Sequence, residues 1–193
     1  MEVIKKIVLV VLILLVFLVV YGSFNPRVVD VTESVRVTAT KQAIWNAVTD
    51  FEGVFHDSNH AHLSTTVTKR PESGFDDGLT FLQKETVGGI YGVLDGRVFD
   101  VFPTRRYRWS ADTTYRLWGI DVIEVSEGGD LRIEETRAGD GWRLSHRVFG
   151  HFPDTFVGRA MSWFMSAFMN IEADAAQHTL VELEYVKREV EES

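Results

Sequence analysis

The hydrophobic pattern divides the chain into three regimes. From Ile7 to Val20 fourteen apolar residues follow one another, and Tyr21, Gly22, Ser23 and Phe24 extend the run to eighteen residues without a charge. A helix of that length spans roughly 27 Å, close to the hydrocarbon thickness of a bilayer. Lys5 and Lys6 stand immediately before it, and the positive-inside rule then predicts a single-pass signal anchor with a cytoplasmic N-terminus and an exported remainder, periplasmic or extracellular. The alternative is secretion after signal-peptide cleavage, with Val20 and Gly22 at the −3 and −1 positions. The run exceeds the usual apolar core of such a peptide, and bulky Tyr21 and Phe24 flank the site. The expected division is therefore residues 1–24 as anchor and 25–193 as one domain.

The second regime has a period of two. Val29, Val31, Val35 and Val37 alternate with polar residues and predict a half-buried strand. Thr40 is placed to cap a helix that carries Ala43, Ile44, Trp45, Ala47 and Val48 and runs out near Asp50 and Phe51; the polar stretch around Gly53 follows. Ala61, Leu63, Thr65 and Val67 share one strand face, as do Leu79, Phe81 and Val87. Further strands are expected from about Ile90 to Val101, Arg105 to Ala111, Gly119 to Val125, Leu131 to Arg137 and Trp142 to Phe149. Turns are expected near Gly74–Gly78, at Gly88-Gly89, at Gly128-Gly129 and at Gly139–Gly141. Sequential strands with short connections argue for an antiparallel sheet.

The third regime is helical. After Pro153 and Asp154, apolar residues fall at Val157, Met161, Phe164, Phe168, Ile171 and Ala175, one stripe over five turns. One long helix is expected, capped by Asp154 and continuing to about Val186.

Composition removes several function classes. With 20 basic and 28 acidic residues the net charge is −8, which is the wrong sign for a nucleic-acid surface. Residues 25–193 alone carry 18 basic and 27 acidic residues, net −9, so this part is not a polybasic reader of lipid surfaces. The absence of Cys excludes disulfides, thiol catalysis and Cys-ligated metal. No nucleophile elbow, P-loop or dinucleotide fingerprint occurs.

The opening Val28–Val54, VVDVTESVRVTATKQAIWNAVTDFEGV, contains a strand followed by a helix at Lys41–Asp50 that looks like an Ala/Pro-x-x-x-Trp-x-x-Val-x-Asp pattern at Trp45, Val48 and Asp50, with Lys41 in place of the Ala or Pro. Gly96-Arg97-Val98-Phe99-Asp100 then runs into Pro103, Arg105, Arg106 and Tyr107, and the long helix from Asp154 closes the chain. In these segments and in element order, residues 28–187 resemble the START-like superfamily, also called Bet v 1-like or SRPBCC, and within it the polyketide cyclase/dehydrase and lipid-transport-like branch. The resemblance implies an α+β helix-grip fold, a curved antiparallel sheet wrapped around a long C-terminal helix with a cavity for an apolar ligand between them. It implies no shared catalytic set.

The chain has its own signs of a cavity. The C-terminal stripe is rich in Met and Phe, and Met161, Phe164, Met165 and Phe168 are candidate ligand contacts, Met being adaptable to varied apolar shapes. Tyr107 and Trp109 share one strand face and join them. Polar residues interrupt otherwise apolar faces: Glu33, Gln83, Glu85, Glu135 and His146. Buried charges need partners, water or a wet cavity. His146, between Leu144 and Val148, is the foremost of these for contact with ligand, and with Glu135 it is a weak candidate for acid–base work. His56, His60 and His62 suit a metal by residue type, but with Leu63 and Val67 on the apolar strand face, His60 and His62 are expected to face solvent, and no metal and no cofactor are expected. Arg105, Arg106 and Arg108 are expected to pair with strand carboxylates.

The expected function is membrane-anchored binding or carriage of a hydrophobic small molecule or lipid, with no nucleic-acid partner. The alternatives are a cyclase, dehydratase or hydrolase using the same cavity, and a ligand-free protein-interaction module.

Overall fold

A computed structural model of the chain describes residues 2–87, 89–117 and 119–193. Helix α1 (Glu2–Phe24) contains the span Ile4–Phe24, long and apolar enough to cross a membrane, with little of it buried in the protein. Strand β1 (Val29–Val37) follows, then helices α2 (Lys41–Thr49) and α3 (Val54–Asp57). Six more strands come in sequence: β2 (His62–Lys69), β3 (Thr80–Val87), β4 (Ile90–Phe102), β5 (Arg106–Leu117), β6 (Ile120–Glu135) and β7 (Trp142–His151). Helices α4 (Phe156–Phe168) and α5 (Ile171–Glu192) complete the chain.

The seven strands form one antiparallel sheet in the order β1-β7-β6-β5-β4-β3-β2. β2 to β7 are a simple meander, and β1 returns to pair with β7 along its whole length, from Val29 opposite Gly150 to Val37 opposite Trp142. α2 and α5 lie against the same face. One apolar cluster joins Val35, Val37, Ile44, Val48, Leu79, Phe81, Val98, Tyr107 and Leu144 to Leu183 and Val186 of α5. A second, smaller cluster joins Val29, Ile90, Tyr115 and Val125 to Met165 and Ile171. The Thr40 cap forms, its Oγ1 accepting from Ala43 N–H at 3.2 Å. The expected Gly88-Gly89 turn cannot be followed in full, because Gly88 lies outside the described residues.

Three expectations change. Gly128-Gly129 is not a turn: β6 runs straight through it, opposite Trp109 and Ser110 of β5. The glycines are there because aromatic rings lie across them. A Cβ at Gly129 would stand 2.2 Å from Trp109 Nε1, and one at Gly128 would stand 2.5 Å from Phe149 Cζ.

The C-terminal helix is also not continuous. Asn170 adopts a left-handed conformation (φ 53°, ψ 35°) between α4 and α5, which Asn tolerates better than most residues. Thr155, not Asp154, caps α4, accepting from Gly158 N–H at 3.0 Å; Asp154 instead pairs with Arg159. The break lets α4 leave the line of α5 and pack on the end of α1. There Tyr21 meets Trp163 edge to face at 5.5 Å, Gly22 lies against the same indole, and Arg27 N–H donates to Ser162 Oγ at 3.0 Å.

Third, β2 carries a register shift between His62 and Ser64. A bulge reverses which face a residue occupies, so Leu63 turns outward and is 54% exposed, while His62 turns inward and is 5% exposed.

The glycine reading gives a direct test. Gly129→Ala is expected to cost about 1–3 kcal/mol by overpacking against Trp109. Gly150→Ala, where the new Cβ meets Val125 Cγ1 at an ordinary 3.6 Å, should stay within about 1 kcal/mol. Denaturant unfolding of both variants checks this; equal losses would show that the ring over Gly129 is not the constraint.

Candidate functional site

A cavity of about 100 Å³ lies between the sheet and α5, where the two apolar clusters fail to meet. Much of its wall is apolar, from Phe51, Phe55, Phe81, Trp109, Val148 and Met165. Gln83, Glu85, Glu127, His146, His178 and Glu182 form its polar part.

Each polar side chain arrives by simple periodicity. Gln83 and Glu85 continue the inward face of β3 begun by Phe81, in line with Leu79 just before the strand, and all four are buried. His146 continues the inward face of β7 after Leu144. His178 and Glu182 stand four residues apart on α5, one turn along the face that also carries Ala175 and Thr179 toward the cavity.

The Glu182 carboxylate is the hub. Its Oε1 lies 3.0 Å from His62 Nε2 and 2.9 Å from His178 Nε2, and the two ring nitrogens are 3.3 Å from each other. Its Oε2 lies 3.3 Å from His146 Nδ1, too poorly aligned for a hydrogen bond, so both buried atoms are left without a hydrogen-bond partner. Trp109 Nε1–H donates to His146 Nε2 at 3.3 Å. Glu85 Oε2 lies 3.9 Å from both His62 Nε2 and His178 Nε2, and accepts from Gln83 Nε2 at 2.6 Å. A second carboxylate, Glu127, accepts from the hydroxyls of Thr113 and Tyr115.

The charges follow from these neighbours. Burial works to raise the Glu182 pKa, but the His178 charge and the surrounding imidazoles hold it well below the ordinary carboxylate value. Burial works to lower the His178 pKa, yet Glu182, aided by Glu85 and Glu127, raises it to about 9. For Glu127, burial wins and the pKa rises to about 7.

No protein-family model matches the chain, and comparison with curated proteins returns no match. Solved structures do match. A START superfamily protein from Mycobacterium smegmatis superposes with a TM-score of 0.61 at 13% identity, covering 84% of this chain and 97% of its own. The Zhui aromatase/cyclase from Streptomyces sp. R1128 gives 0.62 at 16% identity, covering 86% and 94%. Ara h 8.0201 gives 0.58 at 11% identity, covering 86% and 100%. The chain has a START-like, Bet v 1-like fold.

Within this fold, the residues singled out in the sequence go to different places. Tyr107, Trp109, His146 and Met165 line the cavity. Tyr107 is also anchored in the core, its hydroxyl donating to Val48 C=O at 3.1 Å. Met161 packs at the edge of the smaller apolar cluster without lining the cavity. Phe164 and Phe168 do not reach it; they are 47% and 60% exposed, because the break at Asn170 rotates α4 out of line. Glu135 shares the strand parity of Leu131 and Ile133 but stands at the end of β6, past the core, and is exposed. The carboxylate beside His146 is Glu182. His60 is exposed and His56 meets Thr65, so only His62 of that group enters the site. Arg106 and Arg108 face Asp100.

Sequence reasoning passed over His178, Glu182 and Glu127. The available signal for the first pair was two ionisable residues at i, i+4 in line with Ile171 and Ala175.

Glu127 generates a pH prediction. Its side chain is partly exposed, but the carboxylate itself is enclosed, facing Tyr115, Thr113, Glu85 and His178. Unfolded, it loses its proton near 4.5; folded, near 7. Between those values the folded state holds a proton that the unfolded state has released, so rising pH removes stability until about pH 7 and no more beyond it. The loss is on the order of 2 kcal/mol after allowance for solvent screening. Glu127→Gln should therefore be more stable than the native protein at pH 8 and nearly equal to it at pH 4.5. Parallel stability curves for the two proteins would refute a raised Glu127 pKa.

Proposed function

We propose that this protein binds or carries a hydrophobic small molecule or lipid in the cavity between the sheet and α5. The observation that carries the reading is the cavity itself: an apolar chamber inside a START-like fold, with its polar groups gathered rather than scattered. Such a chamber takes an apolar body and fixes one polar end. In this reading Tyr107, Trp109, Val148 and Met165 contact the body, while His146 and the groups around Glu182 meet the polar end. A chamber of about 100 Å³ holds a compact apolar group, and hiding roughly 100 Å² of such a group is worth about 2.5 kcal/mol before ordering costs.

The same proposal places residues 1–24 across a membrane as an anchor, with Lys5 and Lys6 on the cytoplasmic side and residues 25–193 as an exported domain. Support comes from the surface around the end of α1. Phe24 at the end of α1 and Phe156, Val157, Phe164 and Phe168 of α4, which packs on α1, are all exposed, apolar side chains that a membrane surface would cover. On this view α4 rests on the bilayer surface, and Met165 and Ile171, which line the cavity from beneath it, mark its membrane-proximal end.

A second reading is a cyclase, dehydratase or hydrolase acting on a ligand in the same chamber. The buried His and Glu side chains around it favour this, since acid–base work needs such groups within reach of a substrate.

Two experiments decide. Native mass spectrometry of the detergent-purified chain should reveal a co-purified apolar molecule, and a compact aromatic fluorophore should bind saturably. Ala175→Trp, which fills the cavity from α5, should abolish both while leaving the Tm within a few degrees. Binding unchanged in this variant, or no binding in either protein, rejects the carrier reading. For topology, the intact chain should resist carbonate extraction, and external protease should digest the domain in spheroplasts. Release by carbonate counts against the anchor, and full protection counts against export.

A further inference from the structure

His62 is held in one tautomer. Its Nδ1 lies 3.2 Å from Phe55 C=O and 3.1 Å from His56 C=O. Carbonyl oxygens only accept, so Nδ1 carries the hydrogen and, in the neutral ring, Nε2 presents its lone pair. That lone pair points at His178 Nε2 and Glu182 Oε1, and His178 Nε2 becomes a third electron-pair donor once a metal displaces the proton it shares with Glu182. Three donor atoms from β2 and α5 thus converge with separations of 2.9, 3.0 and 3.3 Å.

These spacings are those of ligands around a small cation. Four donors placed tetrahedrally at about 2.0–2.1 Å from a metal stand roughly 3.3 Å from one another. Glu85 Oε2 is 3.9 Å from both ring nitrogens and outside the tight trio, so it fills the fourth corner only by turning toward it. The surroundings also have the form of a metal site's outer shell. Backbone carbonyls orient His62, Gln83 holds Glu85, and His146 Nδ1 stands beside the far oxygen of Glu182. Among the described residues, no other trio of His, Asp or Glu brings its donor atoms this close together.

We propose that His62, His178 and Glu182, with Glu85 as a fourth donor, bind a single divalent transition-metal ion of the zinc class beside the cavity. Imidazole and carboxylate donors suit zinc and its first-row neighbours and disfavour calcium or magnesium, which prefer all-oxygen shells. His178, Glu182 and Glu85 line the cavity and His62 lies behind them, so a ligand reaching the ion would do so from the chamber. The site stands on this geometry alone and does not depend on the carrier reading.

The test uses the full-length, tag-free chain in detergent, stripped with EDTA and then titrated with Zn²⁺ and Co²⁺ at pH 7.5. One equivalent of Zn²⁺ is expected to bind with submicromolar affinity and to raise the Tm reversibly. Co²⁺ should give the intense visible bands of four-coordinate geometry. His178→Ala should weaken binding at least a hundredfold and Glu85→Gln about tenfold, whereas His60→Ala, at an exposed position, should change nothing. If Glu182→Ala fails to fold, the His178 and Glu85 variants still decide the matter. Absence of saturable binding, binding unaltered in His178→Ala, or loss of binding in His60→Ala overturns the proposal; in the first case protons, not a metal, hold the cluster together. Ligand retention is read separately from the co-purified molecule, so a failed metal titration leaves the carrier reading standing.

Discussion

A carboxylate buried in the middle of the fold governs much of what surrounds it. Glu182 is 4% exposed on the inward face of α5, where a single unpaired charge costs several kcal/mol. Three imidazoles, one each from β2, β7 and α5 itself, lie within 3.3 Å of its two oxygens. Each requirement propagates. β2 must bulge to turn His62 inward, β7 must keep its register so that His146 follows Leu144, and α5 must lie at the height that puts His178 and Glu182 between them. The helix is therefore located by electrostatics as well as by the packing of Leu183 and Val186.

The same cluster accounts for the cavity. Apolar side chains close on themselves at either end of the sheet, around Leu79 and Leu144 on one side and around Val125 and Met165 on the other. Between them the largely apolar wall also carries Gln83, Glu85, Glu127 and the Glu182 group, which cannot interdigitate as Leu or Phe would without losing their partners. A core interrupted by polar groups is less stable than a continuous apolar one, and natural chains commonly retain such costs where a site is needed.

The left-handed residue Asn170 has an effect well beyond its own turn. By ending α4 it divides the C-terminal helical segment in two. α5 grips the sheet, while α4 leans on the end of α1 with Trp163 against Tyr21 and Gly22. Met165 belongs to α4 yet closes the smaller apolar cluster, so one helix touches both the apolar N-terminal segment and the chamber. Any movement of α4 relative to α5 about Asn170 changes the shape of the cavity wall.

Hydrophobic periodicity alone located the apolar N-terminal helix, β1, the Thr40-capped α2, the turn before β7 and the inward faces of β3 and β7, because these depend on side-chain alternation and local capping. It also marked Gln83, Glu85 and His146 as polar residues on apolar faces. What it could not supply was anything set by contact across the fold. Gly128-Gly129 reads as a turn until Trp109 and Phe149 are found lying over it. His62 reads as solvent-facing until the bulge beside Leu63 reverses the strand. Phe164 and Phe168 share a stripe with Ile171 until Asn170 breaks the helix, and Glu135 shares the parity of Leu131 until β6 outruns the core. Glu182 and His178 are ordinary helix residues in the sequence. Periodicity reports which face a side chain occupies, whereas a site requires atoms from β2, β3, β7 and α5 to meet at one point, and only the folded sheet and its register bring them together.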